Sequence, residues 1–248
     1  MRTYKLTVVY DGSRYQGWQR QKSTERTIQG ILERAVSEVT GRETEINGSG
    51  RTDGGVHAKG QTASMVLPGK VEETGFCASL NEALPEDIRV KEMTLVKNGF
   101  HARFNAKGKR YEYFIDTREK PDVFTRKYCF HYPHELNISA MEEAAGYLIG
   151  THDFAGFTDK KDEITTIRTI YDIIIEKQDS KIRMEYYGTG FLYHMVRILT
   201  GTLLEVGTGE KRPEEAAAAL EAGNREYAGF LAPARGLFLK EVYYNKGR

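Results

Sequence analysis

The sequence predicts an α+β chain built as two related halves. Short runs of β-branched and aromatic residues alternate with amphipathic helical patterns. The order strand, basic loop, helix, strands, helix, strand is met twice along the chain, with the break near 100–110. No Pro- or Ser-rich linker separates the halves, so they are expected to share one continuous sheet. The 248 residues allow one large domain or two small ones. A chain that is 40% hydrophobic and 29% charged fits a globular protein with a sizeable core.

The first half opens with TYKLTVVY (3–10), whose rough alternation of β-formers predicts a strand. A polar loop with the single tryptophan, Trp18, follows. Ile28, Ile31, Leu32, Ala35, Val36 and Val39 then recur at helical spacing, which predicts a helix over 27–40 closed by Gly41. Residues 42–67 read as strands around the loop NGSGRTDGG, then a helix near 72–83 and a strand at 88–96. In the second half RYEYFIDT (110–117) predicts a strand, followed by a long polar, basic loop. Ser139 and Glu142 have capping-box spacing before Met141, Ala144, Ala145, Leu148 and Ile149, and Gly150 should end that helix. Residues 169–178 and 181–187 predict antiparallel strands joined at Asp179-Ser180. Residues 191–207 read as a mostly buried helix; Pro213 opens an alanine-rich one that ends at Gly223, and 236–244 read as a final strand.

Composition narrows the function classes. No apolar run approaches the roughly 20 residues of a membrane span, and the N-terminus lacks a signal peptide's apolar block, so secretion is not expected. Cys77 and Cys129 are too few for a disulfide framework or a four-cysteine zinc site; free buried thiols are expected, as in a cytosolic protein. The net charge of +1 hides an uneven distribution. Residues 1–30 carry six Lys/Arg against Asp11 and Glu25, and residues 97–127 carry nine against four acids. Between them, 31–96 has seven basic and eleven acidic residues. Two basic segments brought together would suit a polyanion; the bland alternative is a set of solvated faces.

The stretch 48–61, GSGRTDGGVHAKGQ, holds five glycines in fourteen residues around Arg51-Thr52-Asp53. It is no phosphate cradle, since neither G-x-x-x-x-G-K-[ST] nor a G-x-G-x-x-G opening a helix is present. Asp53 is a candidate carboxylate nucleophile, kept ionised by a nearby cation and given room by the glycines that follow. An ordinary Asp-Gly turn is the alternative. Among six histidines none has H-E-x-x-H spacing; His131 and His134 with Glu135 are the best cluster, with no third ligand in view. His152 and Asp153 could be a hydrogen-bonded pair at a helix end. Residues 100–113, FHARFNAKGKRYEY, interleave aromatics with cations, which suits loop or single-stranded RNA as well as an amphipathic strand pair. Arg197 is the one cation in an apolar helix, so it either snorkels out or pairs with a buried acid, for which Asp53 is an attractive candidate.

GRTDGGVHAKGQ, FHARFNAKGKRYEYF, GTHDF, FLYHMVRILTG and APARGLFL together resemble the tRNA pseudouridine synthase A family, in that family's order, from Asp11 to Leu239. The resemblance implies a pseudouridine synthase fold: two ferredoxin-like α+β lobes, 1–105 and 106–248, sharing a mixed, mainly antiparallel sheet with a central active-site cleft. It implies an isomerase that converts uridine to pseudouridine in the tRNA anticodon stem-loop, at nucleotides 38, 39 and 40. It also implies a cytoplasmic homodimer with tRNA as partner, no membrane association, and neither cofactor nor metal. Carried over by position, Asp53 is the nucleophile and Tyr111 lines the uracil pocket, either taking a proton or only packing. Arg197 pairs with the aspartate, Leu237 packs on the base, and Arg51 acts on the RNA backbone or helps open the stack. The chain departs from the family pattern at Gly54, where alanine is commoner, and at Asn47 and Ser49, where small apolar residues are expected. The competing readings are a paralogue with a shifted RNA target, a non-catalytic RNA-binding module on the same fold, and a metal-dependent hydrolase using the histidines.

Overall fold

The strand of residues 2–10 shows why this chain makes sheets. In β1 (Arg2–Tyr10) the side chains of Tyr4, Leu6, Val8 and Tyr10 alternate into the core. The computed structural model describes residues 1–160 and 165–245. These fall into two compact units, 1–107 with 238–245, and 108–237.

In the first unit β1 lies between two antiparallel neighbours, β3 (His57–Leu67) and β4 (Ile88–Val96). The short β2 (Ile46–Gly48) pairs antiparallel with β3. β10 (Leu237–Tyr243) runs parallel to β3, with Phe238 opposite His57 and Leu239 opposite Ala58. The sequence reading put the C-terminal strand in the second lobe. Its pairing to β3 groups 238–245 with the first unit instead, because sheet partners are set by long-range register that local patterning does not carry. Helix α1 (Ile28–Thr40) is capped by Thr27, whose hydroxyl accepts from the Gly30 N–H, and ends at Gly41 with φ 66. It buries Ile28, Leu32, Ala35 and Val36, of which the large aliphatic side chains each contribute about 1.5–3 kcal/mol. Helix α2 (Glu73–Ala83) packs on β4 and α1.

In the second unit β5 (Gly108–Asp116), β9 (Lys181–Gly188), β8 (Ile167–Gln178) and β7 (Gly150–Asp153) form an antiparallel series, with β6 (Phe130–His131) parallel on β5. The β8–β9 hairpin turns where the sequence predicts it, with Asp179 at φ 53. Of three helices, α3 (Ile138–Leu148) packs against α4 (Met195–Thr208), α5 (Glu214–Ala222) and β8. The fold class is α+β with mainly antiparallel sheet, as predicted, and each half follows the predicted element order.

Four local expectations are corrected. Asn137, not Ser139, caps α3: its side-chain oxygen accepts from the Ala140 N–H, and Ser139 lies inside the first turn. Gly150 does not close that helix; α3 ends at Leu148, and Gly150 (φ 119) opens β7 directly. Helix α4 starts at Met195, four residues later than predicted, because His194 sits in the left-handed region at φ 63. Cys77 and Cys129 are free but only half-buried. Replacing Asn137 by Ala is expected to lower unfolding stability by about 1 kcal/mol, and Ser139→Ala by less than about 0.5 kcal/mol, in parallel urea titrations. Equal losses would restore Ser139 as the cap.

Candidate active site

The loop 49–56 between β2 and β3 is fixed by backbone bonds together with the side chains of Ser49, Gln61 and Thr52. The Ser49 N–H donates to Thr62 O at 2.7 Å, and the Ser49 hydroxyl meets Gln61 Oε1 at 2.6 Å. The Gln61 amide in turn donates to Gly50 O at 3.0 Å. At the centre, the Thr52 carbonyl accepts from the Trp18 N–H at 3.0 Å, and its hydroxyl bonds to Tyr10 Oη at 2.8 Å. Burial pushes the Tyr10 phenol well above its ordinary value, so that group stays neutral. The Asp53 carbonyl accepts from the Val56 N–H at 3.2 Å across Gly54 and Gly55, and Gly55 takes φ 80. Asp53 therefore heads a tight turn and is half-buried, so the Asp-Gly turn offered as the alternative reading is present, and it does not by itself assign the carboxylate a role.

Residues 12–18 cross this loop at van der Waals distance. A Cβ on Gly12 would lie 2.0 Å from Val56 O, and one on Gly17 (φ 93) would lie 2.6 Å from Thr52 O. His57, 1% exposed, stacks on Phe238 with centroids 4.5 Å apart. Its Nδ1 is 3.1 Å from the Gly12 N–H and 3.1 Å from Asp11 Oδ1. His57 is thus a core residue that ties the loop's exit to the end of β1. Arg51 is exposed and donates to Gln19 Oε1 at 3.1 Å. Gln19 bonds to Gln29, Gln29 to Glu33, and Glu33 to Arg20, a polar relay rooted in α1. These partners were missed; their signal was two polar residues, Gln29 and Glu33, four apart on the buried face of an amphipathic helix.

In the second unit Tyr111 lies on β5 opposite Tyr186, 8% exposed, with Phe191 edge-on at 5.3 Å. Arg197 is in the first turn of α4. Its Nε donates to Ala232 O at 2.7 Å, and the Ala232 N–H donates back to Arg197 O at 3.2 Å. This clamps the helix start to the segment that leads into Leu237, itself 5% exposed. Tyr113 holds the same segment by donating to Pro233 O at 2.7 Å. Only glycine fits at 236, since a Cβ there would lie 2.6 Å from the Tyr113 ring. Burial keeps the Tyr113 phenol far above its usual value, outweighing the pull of Arg197 and Arg235. His194 is held by Asp159 at 2.6 Å, and Asp159 also accepts from Arg225 at 2.9 Å. Burial would raise the Asp159 pKa, but these two hydrogen bonds hold it below the ordinary value. No sequence signal marked Asp159 or Arg225, which are remote from α4 in the chain.

The basic loop after β5 begins on a pin: Arg118 donates to both oxygens of buried Asp116 and also reaches Asp122. His152 bonds to Ile149 O at 2.9 Å while Asp153 accepts from the Ala155 N–H, so the suspected His152–Asp153 pair is replaced by two separate caps. Among the described residues no group of three or more His, Cys, Asp or Glu could hold a metal ion, and His131 instead bonds to Arg118 O. No helix of the described residues is long and apolar enough to cross a membrane.

A family model described as tRNA pseudouridine synthase matches residues 6–105 and 144–245. The chain belongs to the tRNA pseudouridine synthase family. It is 44% identical over 245 residues to the tRNA pseudouridine synthase A of Acetivibrio thermocellus, covering 98% of this chain and all of the relative. It is 46% identical over 245 residues to that of Bacillus sp. (strain KSM-64), with the same coverage. With that of Bacillus subtilis it shares 44% over 244 residues, 97% of this chain and 98% of the relative. Of the positions singled out in this pseudouridine synthase family member, Asp53 and Arg51 share one loop of the first unit. Tyr111, Arg197 and Leu237 belong to the second, where the 232–236 segment connects Arg197 with Leu237.

Two outcomes follow from this geometry. Gly17→Ala is expected to cost about 1–3 kcal/mol in urea unfolding, from the positive φ and the contact with Thr52 O; a loss under ~0.5 kcal/mol would show that the crossing is not tight. The Asp116 carboxyl is held below the ordinary carboxylate range, chiefly by the Arg118 hydrogen bond. Its contribution is therefore full above about pH 4 and lost as pH falls through the lowered folded-state value. The stability gap between wild type and Asp116→Asn should be constant from neutral pH to about pH 5 and close below about pH 4.

Proposed function

We propose that this protein isomerises uridine to pseudouridine at positions 38, 39 and 40 of the tRNA anticodon stem-loop, with Asp53 as nucleophile. Family membership over nearly the whole chain supports the reaction. The observation that carries the choice of residue is the loop itself: Asp53 heads a turn whose neighbours on both sides are held by backbone bonds, so its carboxylate is presented from a fixed frame.

The chemistry uses the chain's own groups. The target base leaves the stack at a cost of roughly a few kcal/mol. The Asp53 carboxylate attacks either ribose C1′ or uracil C6, and the N1–C1′ bond breaks. The base turns, C5 bonds to C1′, the C5 proton is lost and N1 gains one, and the carboxylate is released unchanged. One glycosidic bond replaces another, so the reaction calls for no cofactor, metal or energy source. In this reading Tyr111 stacks on the uracil, Leu237 packs against it and Arg197 pairs with the aspartate. Arg51 meets the RNA backbone. The same reading makes the protein a cytoplasmic homodimer.

The test is tritium release from tRNA labelled at uridine C5, with wild type and Asp53→Ala, both in EDTA. Release by wild type, none by the variant and equal tRNA binding by both are the expected results. Full release by Asp53→Ala would remove Asp53 from the mechanism, and loss of wild-type release in EDTA would reinstate a metal.

A further inference from the structure

The segment 97–107 follows β4 in the first unit and has a role the isomerase reading leaves open. Its backbone is fixed as firmly as that of the Asp53 loop. The Ala102 N–H donates to Ser64 Oγ at 3.0 Å, and Ala102 O accepts from Tyr244 Oη at 2.8 Å. Asn105 closes the turn on itself, its side chain accepting from the His101 N–H at 2.7 Å and its own N–H donating to His101 O at 3.0 Å. Phe100 packs on Tyr244 with ring centroids 5.0 Å apart, and the Lys107 N–H donates to Tyr243 O at 2.7 Å. Ala102 is 0% exposed.

Out of this anchored knuckle Phe104 projects with 74% of its surface in water. The His101 ring lies against it at 4.3 Å, and the Arg103 guanidinium is 5.9 Å from its centroid. His101 Nδ1 accepts from the Arg103 N–H at 3.1 Å, which fixes the imidazole's orientation under the Phe104 ring. A phenylalanine on a mobile tip is unremarkable; one held on a rigid, doubly anchored turn is a preformed stacking surface whose ordering cost is already met. Lys97, Arg103 and Lys107 are all exposed on this segment, which holds no acidic residue. An aromatic face beside a guanidinium, on a segment whose only charges are cationic, is complementary to an unstacked base and its phosphates, not to an apolar protein surface.

We infer that Phe104, backed by His101 and flanked by Arg103, is a second RNA contact that stacks on an unpaired or terminal-stacked base of the tRNA, separate from the target uridine. Resting on the proposed function, it adds a contact on the same substrate. The platform is tied to β3 at Ser64, roughly 23 Å along that strand from His57, where the Asp53 loop ends, and two residues from Thr62, where the same loop begins at Ser49.

The experiment is tRNA binding by full-length wild type, Phe104→Ala, Phe104→Trp and Arg103→Ala over a range of salt. Base stacking of the usual strength predicts a rise in Kd of about tenfold for Phe104→Ala, within a range of about 5- to 150-fold, with an unchanged salt slope. Phe104→Trp should bind as wild type does, and Arg103→Ala should reduce the salt slope by about one. Since Phe104 is exposed, the alanine variant should keep the wild-type melting curve, which separates lost contact from lost fold. Wild-type affinity in Phe104→Ala overturns the inference while leaving the isomerase intact. A changed oligomeric state in sedimentation assigns the ring to a protein contact and overturns it as well. Failure of the wild type to bind tRNA at all would overturn both readings.

Discussion

The structure of the first unit depends on one crossing. The segment 12–18 runs over the loop 49–56 so closely that neither Gly12 nor Gly17 can carry a Cβ without meeting Val56 O or Thr52 O. A third glycine, Gly48, makes room for Trp18, whose ring would lie 2.4 Å from a Cβ there. On its other side the same segment meets the start of α1, where the Ile28 and Gln29 N–H groups donate to Gly17 O and Trp18 O. Those are among the donors that the first turn of any helix leaves unsatisfied. One strip of backbone therefore caps a helix and carries the loop that bears Asp53. The rigidity of α1 is passed to the loop through main-chain bonds, which no side-chain rotation can loosen.

The second unit solves a different problem, that of two acids buried side by side. Glu112 and Glu185 face each other across β5 and β9, and both are about 5% exposed or less. Like charges directly opposite destabilise a strand pair. Arg183 answers both, at 3.0 Å to Glu112 and 2.7 Å to Glu185, and Arg110 reaches Glu185 at 2.6 Å. Such a cluster adds little net stability over apolar packing, because desolvation offsets most of the attraction. It does fix register. A one-residue slip of β9 would turn Glu185 to the helix-covered face, where Tyr186 and Met184 now lie fully buried, and would strand the arginines. That register sets Tyr111 opposite Tyr186.

How much of this was legible follows from the range of each interaction. Periodicity gave α1 within a residue, and Gly41 marked its end, because such a cap is local chemistry. The capping-box pattern at Ser139 failed against Asn137, two residues earlier, because both are residue types that cap helices and the local rule does not choose between them. The start of α4 failed for a longer-range reason. His194 takes a left-handed backbone that its own sequence disfavours, and Asp159, thirty-five positions away, holds it there. The glycine-rich loop was visible as an anomaly, and it folds into a tight turn headed by Asp53. The relay from Arg51 through Gln19, Gln29 and Glu33 was not visible; its trace is Gln29 and Glu33 four apart on the buried face of α1, which names no partner outside the helix.

The departures from the family pattern become intelligible at the same scale. Gly54 stands where alanine is commoner, yet a Cβ there would meet nothing nearer than Tyr15 O at 3.5 Å, an ordinary contact. Its backbone is not in the left-handed region, unlike that of Gly55 at φ 80. Gly54 and alanine are therefore interchangeable in this frame, whereas Gly12, Gly17 and Gly48 are not. Ser49 is buried, which would cost a hydroxyl its water. Gln61 removes that cost, because its carbonyl oxygen takes the hydroxyl proton while its amide holds Gly50 O. The pair adds to the side-chain tie that Thr52 makes with Tyr10. A buried polar side chain thus strengthens the loop that carries Asp53.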